Sequence, residues 1–264
     1  MYKAEIVADS ISPAGCRLTT VEATYPLIIH AEIMTHRVFS RNVASNRAIP
    51  VKRLIEAVKT NPFIPEKFPK NQAGMQNSEW LEGHEAQDAK KLWINSSKSV
   101  LMYAEELQRI GVHKQITNRL LAPFLWTTAV ITATEWNNFF TLRCDPAAQP
   151  EIQKIAYMIR DAYNASTPTP KKVGEWHLPY ITDEDLSPKE KALASIGRCA
   201  RVSYLTHGAD NDAKKDIELA LRLIQNRHLS PTEHVATPDY HPVNIGNFVG
   251  WIQYRKSIKA ESGE

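Results

Sequence analysis

The chain reads as an α+β protein, a mainly antiparallel sheet packed against a long-helix middle region. Strand patterns open it, helical periodicity fills its middle, and strand-like and loop-like composition returns at its end. With 264 residues and 43% hydrophobic content it can bury a substantial core, as one large domain or two small ones.

The opening segment KAEIVADSI alternates apolar and polar residues, and RLTTVEATYPLIIHAEI is rich in β-branched residues. SPAG between them supplies turn chemistry, so an antiparallel pair is the simplest arrangement. From Ile49 to about Gly83 the prolines Pro50, Pro62, Pro65 and Pro69 forbid a continuous helix, and a loop of that length is usually functional or disordered. Ala86 to Ile110 carries Leu92, Val100, Ala104, Leu107 and Ile110 near helical spacing, with Gly111 as a stop. KQITNRLLAPFLWTTAVITATEWNNFFTLR is expected to continue as apolar helix broken near Pro123, and AQPEIQKIAYMIRDAYNAS as a further helix. Ser187 to Glu190 reads as a capping box with proline at the first helical position, opening a helix from Pro188 to about Tyr204. Another helix should run from about Asp212 to Asn226, with Ile217, Ala220, Leu221 and Ile224 facing inward.

A balance of 32 basic against 29 acidic residues is too even for a nucleic-acid coat or a membrane-surface protein, so any anion site must be local. Cys16, Cys144 and Cys199 lack zinc or redox spacing and read as reduced thiols of a cytoplasmic protein. No stretch approaches the roughly 20 apolar residues of a membrane helix, and MYKAEIVADS lacks a secretory apolar segment.

Four constellations carry potential chemistry. THRVFSRNVASNR places His36, Arg37, Ser40, Arg41, Asn42, Ser45, Asn46 and Arg47 after the apolar run Tyr25 to Ile29, donors suited to a phosphate or a pyrimidine's carbonyl edge. A polar loop is the plainer alternative. Arg143 ends an apolar helix and must find a partner, either Glu151 or a substrate. Arg119, in TNRLLAP, sits on a helix expected to be mostly buried. In RHLSPTEH, Ser230 and Glu233 form a second capping-box pattern, compatible with an anion at the same helix start. No glycine-rich dinucleotide or phosphate loop occurs, and His228, His234 and His241 lack the carboxylate or cysteine spacing of a metal site.

Together these pieces resemble the flavin-dependent thymidylate synthases. Their signature, Arg-His-Arg-x-x-Ser-x-Asn-x-x-Ser-x-Arg, compares with Thr35-His36-Arg37-x-x-Ser40-x-Asn42-x-x-Ser45-x-Arg47, with Thr35 in place of the first arginine. Leu142-Arg143 with Ala148-Gln149-Pro150-Glu151-Ile152, Arg119 with Pro123, and His228 to His234 match further family motifs. The last motif follows the signature instead of preceding it, as in permuted forms associated with phages and some bacteria.

The resemblance implies a single domain over 1–264, a thymidylate synthase complementing protein-like fold, and conversion of dUMP to dTMP. Methylenetetrahydrofolate would give the carbon and NADPH would reduce a bound FAD. It further implies dUMP binding by Ser45, Asn46, Arg47, Arg119 and Arg143, with Arg143 catalytic, and FAD binding by His36, Arg37, Asn138, Ser230 and Glu233. A homotetramer with shared active sites in the cytoplasm, of the host if phage-encoded, is implied, with no metal, nucleic acid or membrane partner. A pyrimidine nucleotide C5 hydroxymethylase on the same fold and a non-catalytic nucleotide-binding protein are the alternatives.

Overall fold

The computed structural model describes residues 1–74, 79–182, 185–206 and 212–258. Strands β1 (Lys3–Ile11) and β2 (Arg17–Pro26) form the expected antiparallel pair. Gly15 in the connecting turn has φ +78°, a left-handed conformation that favours glycine. A 3-10 turn at Leu27–Ile29 and the short helix α1 (His30–Met34) lead to β3 (Ser40–Val43), so the donor-rich stretch contains a strand of its own.

Helix α2 (Val51–Thr60) occupies a segment expected to be irregular. Prolines do forbid a helix across the whole stretch, but Pro50 lies at its N-cap and Pro62 beyond its end, where neither removes an internal hydrogen bond. Residues 75–78 of the same stretch lie outside the described residues. Helix α3 (Gly83–Arg109) has the expected extent, but Leu92 and Ile110 point outward, 66% and 59% exposed. Val100 and Ala104 do face inward, and with Trp93 and Leu101 they meet Leu54, Val58 and Phe124 in a core cluster.

The largest correction follows α4 (Lys114–Leu120). Trp126–Ala133, expected as helix, is strand β4, paired to β2 from Thr19↔Ala133 to Pro26↔Trp126 and to β3 on its other edge. Thr127, Thr128, Val130, Ile131 and Thr132 are β-branched and suit a strand. Burial on both faces removes the alternation that would have revealed it: Ile131 packs with the α6 residues Ile152 and Ile155, and Val130 with Cys199 and Val202.

Helices α5 (Asn137–Arg143) and α6 (Pro150–Ala165) follow, then the two-residue strand β5 (Thr169–Pro170), parallel to β1. The sheet order is β3-β4-β2-β1-β5. One face is apolar, with Val21, Ala23 and Tyr25 under α5 and α6. Its other face is rich in buried hydroxyls, among them Thr20 and Thr132, and is covered by the C-terminal part.

Helix α7 (Pro188–Arg201) starts at the expected capping box, with Ser187 and Glu190 bonded reciprocally. It packs on α8 (Ala213–Gln225), whose Leu221 faces solvent while Ile217, Ala220 and Ile224 face inward. Gly197 lets the two helices touch: a Cβ there would lie 2.2 Å from the Asp216 backbone oxygen. Asp216, 1% exposed, binds Arg198 at 3.0 Å and Arg201 at 2.9 Å. Beyond α8, β6 (Ala236–Pro238) pairs with β9 (Trp251–Gln253), and β7 (Asn244–Ile245) with β8 (Phe248–Val249). Cys16, Cys144 and Cys199 are free thiols.

Candidate functional site

The antiparallel pairing of β3 with β4 divides the donor-rich stretch in two. Ser40 lies opposite Thr132 near the C-terminal end of β4, and Val43 opposite Ala129 nearer its start. Residues before β3 are therefore carried toward α5 and Arg143, and residues after it toward α4 and Arg119.

At the first end, Thr35, His36, Arg37, Glu135, Asn138 and Phe139 border a cavity of about 420 Å³. Arg143 Nε donates to His36 Nε2 at 3.1 Å, and its Nη2 donates to Thr35 Oγ1 at 3.2 Å. Glu151 is not its partner; that carboxylate accepts from Gln149 at 2.9 Å in the first turn of α6. The His36 ring lies against Phe39 and edge-on to Phe139, with centroids 5.6 and 5.0 Å away. Burial first, then the charges of Arg143 and Arg41, push its pKa down to about 4. The ring is neutral at neutral pH, and because Nε2 accepts, its proton is on Nδ1. Arg41 braces the approach by donating to the carbonyls of Met34 and His36, both at 3.0 Å.

At the second end, Ser45, Asn46, Arg47 and Arg119 meet around a cavity of about 520 Å³, so four of the five residues expected to bind dUMP come together. The fifth, Arg143, belongs to the other end. Ser45 N–H donates to the Ser203 carbonyl at 2.9 Å, which ties the loop to the 3-10 turn after α7. Asn118 Nδ2 donates to the carbonyls of Asn46 and Ile49 at 2.7 and 3.0 Å. Arg119, expected on a buried helix, is exposed; Thr117 and Asn118 are the buried residues of α4. No carboxylate pairs with Arg47 or Arg119 among the described residues, so both charges are available to an anion.

Ser230 and Glu233 line neither cavity. They lie in a 3-10 turn too short for the expected capping box: Ser230 makes no cap bond, and Glu233 pairs with Arg255. This turn packs against β3 through Gln253, whose Nε2 donates to Ser40 Oγ at 2.9 Å and to the Glu233 carbonyl at 3.1 Å. Sequence reading missed His30, which borders the second cavity and whose Nδ1 lies 3.1 Å from Tyr25 Oη. It also missed Asn118; an amide directly before a candidate arginine was the available signal. No group of three or more potential metal ligands converges among the described residues, and no described helix is long and apolar enough to cross a membrane.

Fold and site define an α+β protein with two donor-lined cavities, one toward each end of a shared strand. The chain belongs to the thymidylate synthase complementing protein family, whose model matches residues 12–169. Two solved structures resemble part of it. The UMP/dUMP methylase PolB from Streptomyces cacaoi bound with 5-Br UMP is 15% identical, with a TM-score of 0.49 over 62% of this chain and 88% of that one. The same enzyme bound with 5-Br dUMP is 12% identical, with a TM-score of 0.48 over 62% and 90%. No curated protein matches the chain.

Proposed function

We propose that the protein is a flavin-dependent thymidylate synthase, transferring the methylene carbon of methylenetetrahydrofolate to C5 of dUMP to give dTMP. One observation carries this reading: Ser45, Asn46, Arg47 and Arg119 converge on one cavity in a member of the family. Two guanidinium forks without carboxylate partners, a hydroxyl and an amide form a donor set for a nucleotide phosphate and sugar. dUMP anchored there would direct its pyrimidine along β3 toward Arg143, where a fixed cation can stabilise negative charge developing on the ring. Ser45 is assigned to binding.

The cavity at His36 suits a flavin ring. Phe39, Phe139 and Leu142 give it an apolar lining, and Arg37 and Asn138 place donors at an exposed mouth. Bound there, FAD would supply the hydride that completes the methyl group, with NADPH as reductant. FAD is longer than this ring site, in accord with a homotetramer of shared sites. We also read 1–264 as one domain with its motifs in permuted order, because the turn bearing Ser230 and Glu233 packs onto β3 from the far end of the chain. Ser230 and Glu233, which line neither cavity within one subunit, would then meet FAD in a site shared between subunits.

The test is direct. The purified protein's absorbance spectrum is recorded, dUMP, methylenetetrahydrofolate and NADPH are added, and the nucleotide product is identified. A flavin spectrum with dTMP as product is expected. A colourless protein forming the 5-hydroxymethyl nucleotide would establish the hydroxymethylase, and dUMP binding without folate-dependent change at C5 would leave only a binding protein.

A further inference from the structure

At the sheet edge remote from β3, a cavity of about 480 Å³ is bordered by Ser10, Thr169, Lys171, Thr182 and Lys191. Both lysines are half-buried, and no ion pair reaches either among the described residues. Asp9 also borders the cavity, but its carboxylate is occupied by Arg17 at 3.0 and 2.7 Å, Thr19 at 2.9 Å and Ser166 at 2.6 Å. Among the described residues, two cations without an ion-pair partner thus border one space.

A third donor follows from a buried chain behind it. Ser10 Oγ lies 2.9 Å from His177 Nδ1, and His177 Nε2 lies 2.7 Å from Thr20 Oγ1. Thr20 Oγ1 is 2.7 Å from Thr132 Oγ1, which is 2.8 Å from His234 Nδ1. His234 Nε2 is buried and has no partner among the described residues. Burial pushes the pKa of both imidazoles down to about 3, so each is neutral and carries one N–H.

The unpartnered nitrogen fixes the direction of the chain. A buried N–H without an acceptor is rarer and costlier than a bare acceptor, which puts the His234 proton on Nδ1. His234 Nδ1–H then donates to Thr132, Thr132 to Thr20, Thr20 to His177 Nε2, and His177 Nδ1–H to Ser10. Each hydroxyl has one proton, so that of Ser10 is not used within the chain. Ser10 borders the cavity, so that proton is left for an acceptor there.

We propose that this cavity binds a phosphate-type oxyanion of a small molecule, held by Lys171, Lys191 and the Ser10 hydroxyl. This site is independent of the thymidylate synthase reading, and the two can fail separately.

Inorganic pyrophosphate is the probe, titrated calorimetrically into the full chain bearing Arg47→Gln and Arg119→Gln, which silences the other anion cavity. Saturable binding of one pyrophosphate per chain is expected. Adding Lys171→Gln and Lys191→Gln should weaken it at least about tenfold, and adding Ser10→Ala alone should weaken it by less. Nitrogen-15 spectra should show His177 and His234 both protonated on Nδ1. Absent binding, affinity indifferent to the lysines, or a protonated Nε2 on either histidine would overturn the proposal.

Discussion

Arg143 Nε donates to His36 Nε2 at 3.1 Å, joining residues from separate motifs into one unit at the end of β4. Because the arginine charge is the second cause of the depressed histidine pKa, after burial, Arg143→Ala should raise that pKa from about 4 without restoring the ordinary value. A proton-NMR titration of His36 checks this; an unchanged value would show that burial acts alone. On the proposed mechanism the same variant should lose at least about a hundredfold in turnover while keeping its fold and flavin spectrum.

Arg47 and Arg119 have no carboxylate partners among the described residues, so replacing either by alanine removes an anion contact without stranding a buried charge. A hydrogen bond to a charged group is worth about 1.5–3 kcal/mol, or roughly ten- to a hundredfold in affinity. Calorimetric titration with dUMP should show losses of that size, with wild-type binding weakening as salt rises. Thymidine, which lacks the phosphate, should bind both variants and the wild type alike.

The buried histidines predict acid sensitivity. His177 and His234 are neutral in the folded chain with pKa values near 3, against about 6.5 in the unfolded chain. Below about pH 6.5 the unfolded state binds protons that the folded state refuses, so their contribution is complete above that value and is lost as pH falls toward 3. Each can add a slope of up to about 1.4 kcal/mol per pH unit. Urea unfolding between about pH 7 and pH 5 should show a steep fall, shallower in His234→Gln. A flat profile would mean that the imidazoles can charge in place.

Gly197→Ala should force α7 and α8 apart, because the obstacle is Asp216 backbone, not a movable side chain. A loss of about 1–3 kcal/mol or more is expected in thermal unfolding, whereas Lys189→Ala, exposed on the same helix, should be nearly neutral. The Ser203 carbonyl that fixes Ser45 lies just beyond α7, so dUMP affinity should fall with the same change. Unaltered affinity would uncouple the helix pair from the nucleotide cavity.

Local signals were legible in the sequence. The first strand pair, the capping box at Ser187 and the long helix α3 depend on neighbours close in the chain. β4 was not, because a strand buried on both faces has the apolar continuity of a buried helix. α2 was obscured by prolines that bound it without entering it. In the site, the grouping of Ser45 to Arg47 with Arg119 was implied by the family resemblance, but the Arg143–His36 contact joins residues 107 positions apart. Nor does Ser-Pro-Thr-Glu reveal that its turn would end before a helix could form, leaving Glu233 to Arg255.

The four residues of β3 act as a ruler between the two cavities. Three steps of extended backbone set a spacing of about 10 Å between its ends. Any insertion changes that gauge in quanta: one extra residue would also turn every following side chain to the opposite face. Lengthening the reach for a larger substrate would therefore require two residues at a time, matched on β4, and loop changes alone could not retune it.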